Sequence, residues 1–308
     1  MKTLNLVYPD KSDIKYKISN FPDGQKQVTI INMDALQEYY MANTGAKSYY
    51  VGSVQLRSRL NNFSDLELII CAVKSLRELG VKRISLYIPY FLGSRSDRKF
   101  EEGSNNYLKD VICPIINNLN FESVTVLDPH SDVLEACLNN FKKESNKKLV
   151  EFTLNNLYGK TNGTNPLFIL ISPDAGANKK IYKIADEINY NGDIITCSKD
   201  RDNNGKLTKT IVPIEQLKNN WFRDRIIIDD VVDGGATFIN IIRAIDDQRN
   251  DRPEGGKNYL IVTHGIFSKG LNEILQYFDG IYCTNSYKDI VLDKFLYREN
   301  HLEQINVF

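Results

Sequence analysis

Three carboxylates stand close together at Asp229, Asp230 and Asp233, and Gly234-Gly235-Ala236-Thr237 follows at once. The run before them, Ile226-Ile227-Ile228, is β-branched and apolar, as a buried strand requires. Beyond Thr237 the apolar residues recur with a helical period. A strand thus delivers two carboxylates to its C-terminal end, and a glycine turn leads into a helix N-terminus. Carboxyl ends of parallel strands are where α/β proteins bind ligands. The N–H groups of a helix N-terminus suit phosphate. Adjacent carboxylates accept hydrogen bonds from a sugar diol. The simpler reading is a strand–turn–helix corner capped by aspartate; three aspartates before Gly-Gly-Ala-Thr count against it.

The elements that would position these residues are legible as a pattern. Short apolar runs at 83–88, 124–127, 167–171, 226–228 and 259–262 alternate with amphipathic stretches. Continuous apolar strands of this kind belong to parallel sheets covered on both faces, and the alternation predicts an α/β fold with parallel-rich sheets flanked by helices. Ser64-Asp65-Leu66-Glu67 reads as a capping box opening a helix that stops at Gly80. Further helices are expected over 105–119, 132–142, 177–188, 236–248 and 270–277. The most polar stretch, 141–165, resembles an inter-domain connection, which divides the chain into 1–150 and 151–308. A second polar stretch, 198–209, reads as a mobile hairpin or loop.

Composition excludes other classes. Lysine plus arginine number 39 and aspartate plus glutamate 39, a balance that argues against a nucleic-acid-coating surface. No apolar run approaches the ~20 residues of a membrane span, and the N-terminal residues lack the apolar core of a secretory signal. The five cysteines are scattered, with no CxxC pair, as in thiols of a reducing compartment. A cytoplasmic protein is expected.

The Asp229–Thr237 segment resembles the phosphoribosyl pyrophosphate signature shared by type I phosphoribosyltransferases and ribose-phosphate pyrophosphokinases. Other segments favour the second group. Phe21-Pro22-Asp23-Gly24-Gln25 is similar to its Phe-Ser-Asp-Gly-Glu turn, which contacts adenine from a neighbouring subunit. Pro89-Tyr90 through Arg95-Ser96-Asp97-Arg98-Lys99 is similar to its ATP-binding Pro-Tyr…Arg-Gln-Asp-Arg-Lys. Asp128-Pro129-His130 resembles Asp-Leu-His, whose histidine serves metal and nucleotide phosphates, and Ser172-Pro173-Asp174-Ala175-Gly176 matches a segment whose aspartate serves magnesium. Lys199-Asp200-Arg201 stands where the family has catalytic Lys-Arg-Arg, and Thr263-His264-Gly265-Ile266-Phe267-Ser268 resembles Thr-His-Gly-Val-Phe-Ser. The order is the family order.

The resemblance implies two tandem type I phosphoribosyltransferase-like domains, a Mg2+ cofactor, ATP and a ribose phosphate as substrates, and a homo-oligomer, either a dimer or a hexamer built from dimers. It implies catalytic Lys199 and Arg201. ATP would be held by Phe21, Asp23, Gln25, Arg95, Ser96, Asp97, Arg98 and His130. The ribose phosphate would be held by Asp229, Asp230, Asp233, Gly234, Gly235, Ala236 and Thr237, and the metal by His130 and Asp174. Positive charge around the transferring phosphates is what diphosphoryl transfer needs.

The departures bear on substrate contacts. The family's loop commonly reads Asp-Thr-Gly-Gly-Thr; here a hydroxyl is lost at Gly234 and a methyl gained at Ala236. Both changes lie where the 5-phosphate of ribose 5-phosphate would sit, so the expected acceptor is ribose 5-phosphate or a 5-extended ribose phosphate such as ADP-ribose. Pro22, Gln25 and Ser96 also differ from the family's ATP contacts. Two alternatives are a phosphoribosyltransferase consuming phosphoribosyl pyrophosphate and a non-catalytic regulatory member. The first leaves the segments at Arg95 and His130 without a role; the second does not explain retention of Lys199, Arg201, His130 and Asp174.

Overall fold

The computed structural model describes residues 1–41, 47–159, 167–201, 207–248, 255–291 and 302–308. Its chain forms two compact units, one of residues 1–144 with Phe308 and one of residues 145–307.

The first unit is built on five parallel strands in the order Lys2–Asn5, Val54–Arg57, Ile84–Tyr87, Ser123–Leu127, Phe141–Glu144. Leu56, Ile84, Leu86, Val124 and Val126 are buried in its core with Leu66, Ile69, Ala72 and Leu76 of the helix Phe63–Glu78. That helix starts at Asn62, whose side chain accepts the Asp65 N–H at 3.0 Å, while Asp65 Oδ2 accepts the Asn61 N–H at 2.8 Å. The cap therefore lies two residues before the expected Ser64. An antiparallel hairpin, Tyr16–Asn20 with Lys26–Ile30, packs Val28 and Ile30 on the same core. The ring of Phe308 meets Tyr8 and Tyr87 edge-on.

The helix expected over 132–142 is shorter. It spans Val133–Cys137. Asn140 then adopts φ 54°, which an α-helix cannot continue, and Phe141–Glu144 pairs with the strand Ser123–Leu127. Over 105–119 the helix opens with a wide turn, Leu108–Ile112, before Cys113–Asn118. Pro114 lacks the N–H that a regular turn would donate.

In the second unit six parallel strands run in the order Ile194–Thr196, Phe168–Ser172, Asp224–Val232, Asn258–Gly265, Gly280–Thr284, Leu302–Ile305. The central strand Asp224–Val232 is buried on both faces. Ile226 and Ile228 pack with Ile181 and Ile184 of the helix Asn178–Glu187 and with Leu149 and Val150 of the helix Lys147–Tyr158. Ile227 packs with Phe238, Ile239 and Ile242 of the helix Ala236–Asp246. This two-faced burial explains why the sequence reads Ile-Ile-Ile rather than alternating. Over 270–277 only the single turn Ile274–Gln276 forms, with Gly270 before it at φ 78°. The polar stretch 198–209 contains an antiparallel pair, Ser198–Arg201 with Leu207–Ile211. Among the described residues no helix is long and apolar enough to cross a membrane.

Candidate active site

In the second unit the chemistry-bearing segments gather at one sheet edge. Three neighbouring strands end there. Phe168–Ser172 leads into Asp174, Ile194–Thr196 leads into the hairpin carrying Lys199 and Arg201, and Asp224–Val232 leads into Asp233–Thr237. The Cys197 N–H donates to the Ser172 carbonyl at 2.9 Å, tying the first two ends together. The backbone places Lys199 opposite Thr210 and Arg201 opposite Leu207, with a bulge between Asp200 and Arg201. The structure describes those two residues through their backbone alone, and 202–206 lie outside the described residues.

Asp229 and Asp230 lie in the last part of the central strand Asp224–Val232. Asp230 continues the buried row of Ile226 and Ile228 and is 4% exposed. The Asp230 N–H donates to Asp229 Oδ1 at 2.9 Å. Burial raises the Asp229 carboxyl well above the usual carboxylate range, and the neighbouring Asp230 charge pushes it further; Lys180 opposes both. Asp229 stays half-buried as a residue even though its carboxyl is desolvated. Lys180 Nζ stands 3.2 Å from Asp230 Oδ2. Lys180 was not among the residues expected from sequence. Its only sequence signal is its place on the helix that follows Asp174.

The turn beyond is shaped for a close backbone approach. Gly235 is the N-cap of the helix Ala236–Asp246, has φ 78°, and supplies no side-chain cap. The first-turn N–H groups at Ala236 and Thr237 are the donors such a terminus offers to an anion. A Cβ on Gly235 would lie 3.1 Å from Ile274 Cδ1. Gly235→Ala is therefore expected to destabilise the chain by about 1–2 kcal/mol through the left-handed backbone alone, a fall of a few degrees in Tm readable by thermal unfolding. A Cβ on Gly234 would meet the Lys269 stem, with Cδ at 3.2 Å and Cε at 3.3 Å. The lost side chain at 234 thus leaves room that a lysine stem crosses, a second cation near the turn that the sequence did not reveal.

Asp174 precedes the helix Asn178–Glu187, and its Oδ1 accepts the Ala177 N–H at 3.0 Å. Among the described residues no group of three or more His, Cys, Asp or Glu side chains converges to hold a metal ion. A single hard carboxylate nevertheless fits Mg2+, which keeps several waters and takes phosphate oxygens rather than a protein cage. His264, at the end of the strand Asn258–Gly265, is buried and its Nδ1 lies 2.8 Å from Ser286 Oγ; it acts in packing that end.

In the first unit the segments carrying Arg95–Arg98 and His130 also follow the carboxyl ends of neighbouring strands. Ile84–Tyr87 leads through Pro89 to Arg95–Arg98, and Ser123–Leu127 leads to Asp128–His130. The Leu127 N–H donates to the Pro89 carbonyl at 3.2 Å, joining the two ends. Asp128 is buried and holds φ 41°, a strained turn that leaves the next-but-one residue, His130, exposed. Arg95 is exposed, Ser96 and Asp97 are half-buried, and the exposed Arg98 stacks its guanidinium over Phe100 at 5.3 Å. Phe21, Asp23 and Gln25 form the exposed tip of the N-terminal hairpin, whose Lys26 N–H donates to Glu67 Oε1 at 3.0 Å in the first turns of the helix Phe63–Glu78. Gly24 there has φ 91°, and the Phe21 N–H donates to the Gln25 carbonyl at 2.8 Å.

Parallel strands covered by helices, with charged segments at their carboxyl ends, define an α/β protein of the kind that binds ligands at its strand ends. The fold is that of the phosphoribosylpyrophosphate synthetase from Mycobacterium smegmatis, with TM-score 0.66 over 88% of this chain and 86% of that one at 15% identity. In sequence the chain is similar to ribose-phosphate pyrophosphokinases. It is 26% identical to that of Mycoplasmopsis pulmonis over 240 residues, 76% of this chain and 68% of the relative. It is 26% identical to that of Saccharolobus solfataricus over 230 residues, 75% and 71% of the two chains. It is 25% identical to ribose-phosphate pyrophosphokinase 2 of Saccharomyces cerevisiae over 283 residues, 88% and 78% of the two. No family model matches the chain. The resemblance read from ordered motifs therefore extends over most of the chain and over its fold.

Proposed function

We propose that this chain is a Mg2+-dependent ribose-phosphate diphosphokinase-type transferase, moving the β,γ-diphosphate of ATP to the anomeric hydroxyl of a ribose phosphate and releasing AMP. The observation that carries this reading is the convergence of Asp174, the Lys199–Arg201 hairpin and Asp229–Thr237 at one edge of a phosphoribosyltransferase-like sheet. Similarity to ribose-phosphate pyrophosphokinases supports it.

In this reading the anomeric oxygen bonds to the β-phosphorus, the bond from that phosphorus to the α,β-bridging oxygen breaks, and the hydroxyl proton is released. Asp229 and Asp230 accept the ribose hydroxyls and fix the sugar for in-line attack. Asp233, Gly234, Gly235, Ala236 and Thr237 cradle the 5-substituent. Lys199 and Arg201 meet the charge that develops on the transferring group. Arg95 and Arg98 hold the ATP phosphates, with Ser96 and Asp97 lining the same bend. Asp174 and His130 would hold Mg2+, which neutralises phosphate charge when bound. Phe21, Asp23 and Gln25 reach adenine on a neighbouring copy, so the working form is a homo-oligomer, a dimer or a hexamer of dimers. Residues 1–150 carry the ATP segments and 151–308 the acceptor and catalytic segments.

The acceptor is a 5-extended ribose phosphate such as ADP-ribose in preference to ribose 5-phosphate. Gly234 carries no hydroxyl for a terminal phosphate, and a lost hydrogen bond to a charged group is worth about 1.5–3 kcal/mol. AMP release from ATP should be measured with each acceptor. The expected result is a higher kcat/KM for ADP-ribose; a preference for ribose 5-phosphate removes the 5-extended reading, and no AMP with any ribose phosphate removes the transferase reading.

A further inference from the structure

Lys180 sits in the first turn of the helix Asn178–Glu187, with its Nζ 3.2 Å from Asp230 Oδ2. That placement runs against local physics twice. A cation in the first turn of a helix opposes the macrodipole, which favours negative charge there. The side chain is also largely withdrawn from water, 28% exposed, and its Asp230 partner is 5% exposed, so both charges are desolvated. A residue that breaks local preference at the ligand-binding edge of a sheet is expected where function requires it. The strand also alternates. Asp230 continues the row of Ile226 and Ile228, which faces the helix carrying Lys180, so the pair is fixed by the pleat and not by a flexible reach. Asp229, one residue back, bonds the Asp230 N–H and shares its electrostatic surroundings with both Asp230 and Lys180.

We propose that Lys180 is a positioning residue for the acceptor: through its ion pair with Asp230 it orients the Asp229–Asp230 carboxylates toward the vicinal hydroxyls of a ribose. This rests on the reading of those aspartates as diol acceptors. Lys180 touches neither the transferring phosphate nor the anomeric centre. It acts on how well the sugar binds. Without it, two adjacent acidic side chains share a desolvated strand end lacking the Lys180 charge, and like-charge repulsion turns them from a common target.

The test is steady-state kinetics on the full chain with ATP, Mg2+ and the better ribose-phosphate acceptor. Lys180→Met should raise the acceptor KM at least about tenfold, the scale of a hydrogen bond to a charged group, while kcat and the ATP KM stay within about twofold. Lys180→Arg, which keeps the cation, should restore most of the acceptor affinity. A residue that serves only folding would move both KM values together and would not be rescued selectively. Lys180→Gln, which keeps a shorter stem and an uncharged polar head, carries the same expectation should the methionine variant not fold. An unchanged acceptor KM, or equal shifts for both substrates, overturns the role of Lys180 while the transferase reading stands. An unmodified chain that releases no AMP overturns that reading, and this inference with it.

Discussion

Lys199→Ala is expected to lower kcat on the order of 10²–10³-fold, the usual cost of removing one preorganised donor to developing charge. The reasoning starts from the reaction. A diphosphoryl group in flight spreads negative charge over non-bridging oxygens, and little covalent assistance is available, so positioned cations do most of the work. Lys199 stands on a hairpin strand that leaves the carboxyl end of Ile194–Thr196, the strand beside the one that ends in Asp174. If the lysine acts mainly in the transition state, kcat and kcat/KM fall together and the ATP KM hardly moves. Lys218→Ala provides the control: Lys218 lies on the helix Ile214–Lys218 and pairs with Glu215, so its loss should leave turnover unaltered. Near-normal turnover in Lys199→Ala would take the catalytic role away from this residue.

Asp229→Asn is expected to separate stability from function. The folded Asp229 carboxyl holds its proton to higher pH than the unfolded one, because burial and the Asp230 charge disfavour ionisation. The sign follows from linkage. Between the unfolded value near 3.8 and the raised folded value, the folded state binds more protons, so stability falls as pH rises. The contribution is fully present below the unfolded value and is lost as pH passes through the folded one. An asparagine has no charge to desolvate, so at neutral pH the variant should unfold at a higher Tm than the parent, with the gap closing as pH falls toward 4. The same change removes a charged acceptor for a ribose hydroxyl and should raise the acceptor KM by about 10–150-fold, from the 1.5–3 kcal/mol of such a bond. Thermal unfolding across pH and acceptor kinetics check the two halves separately. A lower Tm at neutral pH would mean that ionised Asp229 is stabilised in the fold, against the burial described.

Local order proved legible where one element carries its own signal. The run from Arg225 to Thr237 encodes strand, turn and helix because apolar side chains cover both faces of the strand and Gly235 supplies the one φ that turns the chain. Phe141–Glu144 was not legible. Phe-Lys-Lys-Glu has no strand character of its own, and it is a strand because it hydrogen-bonds to the edge of Ser123–Leu127. The helix cap was misplaced for a related reason: Asn62 and Ser64 are both good caps by type, and the backbone geometry around Asn61 and Asp65 selects the first.

The sequence by itself determined the fold class, the order of the charged segments and the identities of the residues at the strand ends, since periodicity and residue type act over a few positions. Only the tertiary structure decided that Asp230 meets Lys180, that Asp229 is desolvated and that the Lys269 stem crosses Gly234. Those relations join residues tens of positions apart. They depend on which strands lie side by side and which helix covers them, and the free energy that sets them comes from burying Ile226, Ile227 and Ile228 on two faces at once.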